Sequence, residues 1–512
     1  MIPSRDVTRR SRLLVIIFTL CAFLANAADE REPVRDREGL RRWMNAHLGQ
    51  PRFVSAAWGI KIVSLASGAT LFEENAGKLL KPASNAKLFT GAMALDRLGP
   101  AYRIRTSLYA KASPDAAGQI NGDVIVFGRG DPSFAARFNN GNHTDNLRSL
   151  AEALASSGVK RIRGGLIADE SHFRGPPLGS GWMWDDLENY YGAEVSALTV
   201  EDNVVDLVLK PGEVAGMPVK ILTLPQTTYL SFSNRTMTRT ADEPSRIRVY
   251  RPLGENVVYL HGGISLGHSN VYDAVTVHRP ALWFGELLRE ALARRGIKVD
   301  GRVQAVDWLD REIAPRSTND WREIAHVESP PLKEILPRMM KPSQNLYAHL
   351  LLLQVGARIL ETNAGFRTTE NAGLAELEKF IQEAGIRAGE VLLEEGSGLS
   401  RGALLTPNAT VQLLTHMNGH AQREIFQASL PVAGIDGTLR RRMSGTTAAG
   451  NVRAKTGTLR YVYALSGYVT TAAGEPLVFS LMLNNYDADE SEARPALDAI
   501  AIMLAGIAEK LR

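Results

Sequence analysis

The sequence contains one cysteine, Cys21, among its 512 residues. Cys21 lies in an apolar run near the amino terminus, so the rest of the chain has no thiol for a disulfide, a zinc site or a cysteine nucleophile. We expect stability to come from a large hydrophobic core, which the 45% hydrophobic residues can supply. The ten histidines show no zinc-ligand spacing, so neither a metal site nor a cofactor is predicted.

Long hydrophobic runs are also scarce, and the run near the amino terminus, residues 13–24, is short. Residues 13–24 follow four arginines and precede Ala25-Asn26-Ala27, which is the pattern of a cleaved secretory signal peptide over residues 1–27. The run is about half as long as a membrane-spanning helix needs to be. The pattern predicts export to the periplasm and at most peripheral membrane contact, and it leaves the export route open.

The chain has little net charge. Its formal charge is +4, and removal of residues 1–27 leaves about +1. A basic surface for nucleic acid is therefore not predicted. The run Arg440-Arg441-Arg442 is interpreted as a solvated face.

Hydrophobic patterning divides the chain into three parts. Residues 57–74 predict a β-hairpin, and a helix follows from about Pro82 until Gly99-Pro100 ends it. The middle third consists of short strand-like runs, among them 123–127, 204–209, 247–250 and 257–260, and predicts a β-rich insertion. The last third predicts apolar helices, then three antiparallel strands at 452–455, 462–469 and 477–483, and a final helix that packs on the core.

Two polar motifs occur where helices are predicted to begin. In Ser84-Asn85-Ala86-Lys87, the helical spacing places the Lys87 amine beside the Ser84 hydroxyl. A lysine can deprotonate that hydroxyl if burial or another cation lowers the lysine pKa. A second match, at Ser157 and Lys160, ends a helix and points its two side chains apart. Ser343-Gln344-Asn345 opens a later helix, where a serine is by itself more typical of a helix cap.

A third motif, Lys455-Thr456-Gly457-Thr458, falls in a predicted strand. A cation on an edge strand, followed by a glycine that allows close backbone approach, suits a ligand that pairs along the strand and carries a carboxylate. The three motifs occur in the order Ser-x-x-Lys, Ser-x-Asn, Lys-Thr-Gly, which is the set found in penicillin-binding proteins and serine β-lactamases.

Further stretches extend this agreement over the part of the chain beyond residue 27. They include Gly128-Arg129-Gly130-Asp131-Pro132, Trp182-Met183-Trp184-Asp185-Asp186, Gly396-Ser397-Gly398-Leu399-Ser400 and Gly434-Ile435-Asp436-Gly437-Thr438-Leu439. On these residues the chain resembles the D-alanyl-D-alanine carboxypeptidase and endopeptidase family, the class C low-molecular-mass penicillin-binding proteins with a large insertion after the nucleophile helix.

The resemblance implies an α/β fold. Residues 28–104 and 305–512 would form a transpeptidase or β-lactamase-like domain, an antiparallel sheet with flanking helices, and residues 105–304 would form inserted β-rich domains. The tryptophan-rich segment from Trp182 to Tyr191 would then pack within the insertion.

The resemblance also implies a role for each motif residue in the cleavage of peptidoglycan stem peptides. Ser84 would be the acylated nucleophile and Lys87 its base, Ser343 would relay a proton to the leaving amine, and Asn345 would bind the substrate amide. Lys455 would hold the proton network and lower the pKa of Lys87 by its charge. Thr456, Gly457 and Thr458 would bind substrate, the threonines through its carboxylate, and the backbone amides of Ser84 and Thr458 would stabilise the oxyanion. β-Lactam antibiotics would acylate Ser84.

Three positions depart from the family pattern: Gln344 and Glu395 each replace a usual aspartate, and His349 replaces a usual glutamate. None has a chemical role in the scheme above, and their effect on activity is open. His349 is interpreted as a packing residue of an apolar helix.

Several functions remain open from the residues. A β-lactamase or esterase would use the same nucleophile, and a noncatalytic peptidoglycan-binding protein would keep the fold. Transpeptidation differs from hydrolysis in its acceptor alone, and the balance of carboxypeptidase and endopeptidase activity cannot be read from the motifs. The oligomeric state is open as well.

Overall fold

The computed structural model describes residues 34–315, 320–362, 365, 368–487 and 490–511. The predicted signal peptide, with Cys21, lies outside these residues. The described α-helices are α1 (Arg37–Leu48), α2 (Ala86–Leu98), α3 (Arg148–Ser156), α4 (Pro280–Arg294), α5 (Trp308–Ile313), α6 (Leu332–Met340), α7 (Asn345–Leu360), α8 (Thr369–Glu383), α9 (Pro407–Gly419), α10 (Arg423–Ser429) and α11 (Glu490–Gly506).

The described strands are β1 (Ala57–Ser64), β2 (Thr70–Glu74), β3 (Arg105–Ala110), β4 (Gln119–Ile120), β5 (Val124–Phe127), β6 (Arg161–Ile162), β7 (Leu166–Asp169), β8 (Val204–Lys210), β9 (Lys220–Leu224), β10 (Ser231–Arg239), β11 (Arg246–Tyr250), β12 (Val257–Ser265), β13 (Val271–Thr276), β14 (Lys298–Val299), β15 (Val303–Val306), β16 (Arg322–Glu328), β17 (Val391–Leu392), β18 (Leu404–Leu405), β19 (Arg453–Leu459), β20 (Val462–Thr470) and β21 (Pro476–Asn484).

A five-stranded sheet joins the two ends of the chain. Its order is β19-β20-β21-β1-β2, and each neighbouring pair is antiparallel. The predicted amino-terminal hairpin and the three predicted carboxy-terminal strands are therefore confirmed. Eight of the nine residues of β20 are buried, because helices cover both faces of the sheet.

The two faces of this sheet carry different helices. On one face α1 and α11 contribute Leu40, Leu497 and Ile500 to a core with Ile60 and Leu481. On the other face α2, α7 and α9 form a second core, and the first thirteen residues of α7 are all buried. A helix that is apolar on every side belongs inside a fold in this way. The predicted core packing of the final helix is confirmed.

The middle of the chain builds separate sheets around a third core, which contains Leu108, Val205 and Trp283. The strands predicted at 123–127, 204–209, 247–250 and 257–260 are confirmed as β5, β8, β11 and β12. The five-stranded sheet of this region has the order β15-β7-β5-β3-β16. Its edge strand β16, which lies beyond residue 304, pairs with β3 at the other end of the insertion. The predicted α/β class is confirmed, and the division of the chain into domains stays a prediction.

Within the described part of the chain, no helix has both the length and the hydropathy that crossing a membrane requires.

Helices α7 and α8 cross at Gly356, close enough that a side chain there has no room. A Cβ atom on Gly356 would lie 2.0 Å from the backbone oxygen of Thr369 and 2.8 Å from the backbone nitrogen of Gly373. Both contacts are to backbone atoms, so a side-chain rotation cannot relieve them. The close crossing fixes the first turn of α8 against α7, the helix that begins at Asn345.

Replacement of Gly356 by alanine is therefore expected to lower the free energy of unfolding by about 1–3 kcal/mol, because the added methyl group pushes α8 away from α7. Gly419 offers a matched control, since a Cβ atom there would meet nothing within 4 Å. Gly419→Ala should change stability by less than about 1 kcal/mol. Urea unfolding followed by circular dichroism measures both, and equal effects of the two variants would contradict the close crossing.

Candidate active site

Ser84 and Lys87 lie where the chain enters α2. Residues Ala83–Asn85 form a single 3-10 turn, and α2 itself begins at Ala86. The Lys87 Nζ donates a hydrogen bond to the Ser84 Oγ at 2.7 Å. The predicted contact between amine and hydroxyl is thus present, although Ser84 belongs to the 3-10 turn and not to the α-helix.

Two further oxygen atoms hold the Lys87 amine. Its Nζ lies 2.6 Å from the Asn345 Oδ1 and 2.8 Å from the backbone oxygen of Ser397. These acceptors come from the start of α7 and from the loop between β17 and β18. Three segments that are far apart in the sequence therefore meet at one amine, which has 0% exposure.

Ser343 lies on the opposite side of the site, in the turn between α6 and α7. Its backbone has a left-handed conformation, with φ of 66°, which is uncommon for a residue with a side chain. The Ser343 Oγ accepts a hydrogen bond of 2.8 Å from the Lys455 Nζ. Gln344, and not Ser343, caps α7 by accepting from the backbone nitrogen of Leu346. Ser343 is thereby left to bind Lys455.

The Lys-Thr-Gly motif lies on β19, at the edge of the central sheet as predicted. Gly457 allows this strand to approach the turn that carries Ser84, because a Cβ atom there would lie 2.6 Å from the backbone oxygen of Pro82. Thr456 Oγ1 donates to Thr438 Oγ1 at 2.8 Å, and Thr458 is exposed. Thr456 and Thr458 line the same cleft as Ser84, Ser343 and Asn345.

The two buried lysines have lowered pKa values. Burial lowers the pKa of Lys87 to about 7, and the Glu395 carboxylate opposes this shift. Burial, followed by the charge of Lys87, lowers the pKa of Lys455 well below its usual value. Burial is thus the main cause of the low pKa of Lys87, and the charge repulsion between the two lysines acts mainly on Lys455. A lysine with this pKa is partly neutral near pH 7 and can accept a proton.

The tryptophan-rich segment contributes to the cleft, which differs from the predicted packing within the insertion. Tyr190 and Tyr191 line the cleft beside residues of the three motifs, as do two acidic residues of the same segment. The Asn345 Nδ2 donates to the backbone oxygen of Tyr191 at 2.9 Å, so this segment orients a motif residue directly. The aromatic composition of the segment gave no signal for this contact.

Sequence reasoning also missed a buried carboxylate behind the site. Glu395 has 0% exposure and accepts hydrogen bonds from the backbone nitrogens of Ser397, Gly398 and Leu399, at 2.6, 2.5 and 2.9 Å. It therefore holds the loop whose Ser397 oxygen binds Lys87. The two glycines of Gly396-Ser397-Gly398 were the available signal, since a tight loop of amides is suited to surround an anion.

Comparisons with known proteins agree with this arrangement. The Peptidase_S13 family model, described as D-Ala-D-Ala carboxypeptidase 3 (S13) family, matches residues 40–506. D-alanyl-D-alanine carboxypeptidase from Actinomadura sp. (strain R39) is 34% identical over 522 residues, with 98% of this chain and 91% of the relative covered. D-alanyl-D-alanine carboxypeptidase DacB from Haemophilus influenzae is 26% identical over 423 residues, with 82% and 84% covered.

A solved structure has the same fold. The crystal structure of penicillin binding protein 4 (dacB) from Haemophilus influenzae aligns with a TM-score of 0.74 and 25% identity, over 88% of this chain and 95% of that chain. The family model covers both ends of the central sheet, the insertion and all three motifs. The chain belongs to the Peptidase S13 family and is a serine-type D-Ala-D-Ala carboxypeptidase.

Proposed function

We propose that this enzyme cleaves the terminal D-Ala-D-Ala bond of peptidoglycan stem peptides through an acyl-enzyme on Ser84. The observation that carries the proposal is the hydrogen bond between the Lys87 Nζ and the Ser84 Oγ, made by a buried amine whose pKa is about 7. A serine hydroxyl becomes nucleophilic when a nearby base accepts its proton, and neutral Lys87 is placed to do so.

Acylation requires two proton transfers, one from the Ser84 hydroxyl to Lys87 and one to the leaving amine. The Ser84 Oγ forms a bond to the penultimate D-alanine carbonyl carbon while its proton passes to the Lys87 Nζ. Collapse of the tetrahedral intermediate breaks the peptide C–N bond. The leaving amine of the terminal D-alanine takes a proton from the Ser343 hydroxyl, and the proton that Lys87 accepted replaces it, so that Lys87 is neutral again. Lys455, which is 2.8 Å from the Ser343 Oγ, keeps that hydroxyl oriented. Water then hydrolyses the ester and restores Ser84.

The edge strand β19 provides the binding surface for the substrate. Its backbone on the cleft side can pair with an extended peptide, in the way that a strand is added to a sheet edge. Thr456 and Thr458 then hold the terminal carboxylate, and the backbone amides of Ser84 and Thr458 stabilise the oxyanion. Asn345 binds the substrate amide. Its Oδ1 also accepts a hydrogen bond from the Lys87 Nζ and so keeps this base next to Ser84.

Penicillin and other β-lactams are proposed to acylate the same serine, a proposal supported by the name of the Haemophilus influenzae relative, penicillin binding protein 4. Rapid turnover of penicillin would favour β-lactamase activity, and the absence of covalent labelling would favour a noncatalytic binding protein. The periplasm is proposed as the location, on the signal-peptide pattern of residues 1–27.

The substrate range is open to a direct experiment. Cross-linked peptides contain a D-alanyl bond to the next stem peptide, and cleavage of that bond is endopeptidase activity by the same acyl-enzyme. Digestion of purified peptidoglycan, with the products separated by mass, distinguishes loss of terminal D-alanine from loss of cross-links. A transpeptidase would be recognised by products in which an added amine replaces the terminal residue.

Replacement of Ser84 by alanine should abolish covalent labelling by fluorescent penicillin. It should also lower kcat/KM for a D-Ala-D-Ala peptide by at least about 10⁴-fold, because no other group takes over a covalent step. The matched control is Ser157→Ala, in the second Ser-x-x-Lys match. The Ser157 Oγ donates to the backbone oxygen of Ala153 at 2.9 Å, and this variant should label like wild type. Equal labelling of Ser84→Ala and wild type would contradict the assignment of the nucleophile.

The acylation rate should depend on pH through Lys87. Its pKa of about 7 means that the neutral, proton-accepting form is lost as the pH falls. The second-order rate constant for penicillin acylation should therefore fall about tenfold per pH unit below 7 and level off above it. A stopped-flow or gel series between pH 5 and 9 measures this. A rate constant that does not change between pH 5 and 8 would rule out Lys87 as the base.

A further inference from the structure

Arginine side chains are concentrated on one face of a three-stranded sheet in the middle of the chain. The sheet has the order β10-β12-β11. Arg235, His261 and Arg248 are register partners across its three strands, so their side chains leave the sheet on the same face. Arg246 lies two positions before Arg248 on β11 and therefore shares that face. All four of these residues are exposed to solvent.

A glycine gives room for one more arginine on the same face. Gly263 is the register partner of both Arg246 and Met237. A Cβ atom on Gly263 would lie 2.9 Å from the Arg239 Cγ and 2.9 Å from the Arg239 Nε. The Arg239 side chain therefore lies over the sheet in space that a larger residue would fill, and its Nη1 donates to the backbone oxygen of Pro244 at 2.6 Å.

The two faces of this sheet differ in character. On the inner face, Val258 and Leu260 are buried in the core of the middle of the chain. On the outer face, Tyr250 and Tyr259 are register partners beside the arginines, and their ring centroids are 6.4 Å apart. Tyr250 is 47% exposed. The outer face therefore presents cations and aromatic rings together to solvent.

No residue of the outer face is acidic. Along the three strands the face consists of Ser231, Ser233, Arg235, Met237, Arg239, Arg246, Arg248, Tyr250, Val257, Tyr259, His261, Gly263 and Ser265. Within the described part of the chain, its four arginines form no ion pair with a carboxylate. Glu243, in the loop after β10, is instead bonded to Thr240. Cations that lie close together on a sheet repel one another, so an anionic partner would relieve a cost that the sheet carries alone.

We propose that this arginine face, defined by Arg235, Arg239, Arg246 and Arg248, binds the carboxylates of polymeric peptidoglycan outside the active-site cleft. None of the residues that line the cleft belongs to this sheet. The inference rests on the proposed function, because that function identifies the polymer. It goes beyond that function by adding a second contact with the polymer, which holds the enzyme on it between cleavage events.

The chemistry of the polymer matches the face. A stem peptide ends in a D-alanine carboxylate both before and after the enzyme removes one residue, so peptidoglycan that is not cross-linked is polyanionic. A guanidinium group binds a carboxylate through two parallel hydrogen bonds. The rings of Tyr250 and Tyr259 offer an apolar surface with a polar tip, which suits the sugars of the glycan strand. The attraction is local, because the chain as a whole has a formal charge of only +4.

An anionic bilayer is the alternative occupant, and the apolar residues of the face favour the polymer. Binding to a bilayer surface requires apolar side chains that enter it beside the cations. Within the three strands, Met237 is the one large aliphatic side chain that is exposed. The exposed residues Leu253 and Leu266 lie in turns at opposite ends of β12, beyond the face. The face therefore fits a hydrated polyanion better than a bilayer.

Co-sedimentation with purified peptidoglycan sacculi, freed of attached proteins and other anionic polymers, tests the proposal. The parent protein for binding is Ser84→Ala, so that the polymer is not cleaved during the assay. In this parent, the triple variant Arg235→Gln, Arg246→Gln and Arg248→Gln should bind sacculi about tenfold more weakly, because three exposed charge contacts are lost. Added salt should weaken the binding of the parent more than that of the triple variant. Circular dichroism confirms that each variant is folded.

The matched control removes the same charge from another exposed surface. Replacement of Arg35, Arg37 and Arg41 by glutamine changes residues in and just before α1, and this variant should bind sacculi like the parent. On sacculi whose carboxylates have been converted to amides, the parent and the arginine-face variant should bind equally. The proposal is overturned by equal binding of these two proteins to untreated sacculi, by a difference that persists after amidation, or by an equal loss in the control.

Two further measurements separate the possible failures. With Ser84 intact, the arginine-face variant should keep kcat/KM for a soluble D-Ala-D-Ala peptide, and its KM for release of D-alanine from sacculi should rise about tenfold. If the protein with all native residues cleaves neither substrate, the proposed function fails. If it cleaves both and the arginine-face variant still binds sacculi like the parent, this inference alone fails. Loss of binding to phosphatidylglycerol vesicles with unchanged binding to sacculi would assign the face to a membrane and overturn the inference.

Discussion

The Lys87 amine lies where water does not reach it, and protein oxygen atoms replace its hydration. A charged amine in such a place is costly unless it is paired, and the outcome is a pKa of about 7 instead of 10.5. That shift makes the residue useful as a base, because an ordinary lysine is almost wholly protonated at neutral pH. The oxygen atoms of Ser84, Asn345 and Ser397 keep the amine in place without cancelling the effect of burial. The fold can be understood as the means of bringing these three atoms to one point.

The middle of the chain, residues 105–304, takes part in this assembly. Asp202, in this middle part of the chain, forms an ion pair with Arg137 and accepts hydrogen bonds from Gln344 at 3.2 Å and from the Tyr347 hydroxyl at 2.5 Å. Asp202 lies within three successive residues, 201–203, that have left-handed backbone angles. Such angles are costly for residues with side chains and persist where the surrounding contacts require them. The middle part of the chain thereby fixes the start of α7, the helix that carries Asn345 and His349.

The parts of the structure that could be predicted are those with a local signal. The hairpin at β1 and β2, the last three strands and the contact between Ser84 and Lys87 follow from periodicity and helical spacing. The hydrogen bond between Lys455 and Ser343 joins residues that are far apart in the sequence. It was predictable because the order of the three motifs identified the fold.

The remaining features depend on tertiary contacts that a single sequence does not encode locally. His349 and Glu395 are 46 positions apart and lie in different elements, so their separate departures from the family pattern gave no hint that they meet. The position of the tryptophan-rich segment in the cleft could not be predicted, because aromatic residues are as typical of core packing as of a binding cleft. Burial and a neighbouring cation were alternative causes of a low pKa of Lys87, and the choice between them needed the structure because burial cannot be counted from the sequence.

The assignment of Ser84 as the acylated residue is tested most directly by locating the bond that penicillin forms. The wild-type protein is incubated with penicillin, denatured in acid and digested with trypsin, and the peptides are sequenced by mass spectrometry. The account predicts one penicillin adduct on the peptide of residues 79–87, with fragment ions that place it on Ser84. An adduct on the peptide of residues 339–358, which carries Ser343, or on any other peptide would contradict it.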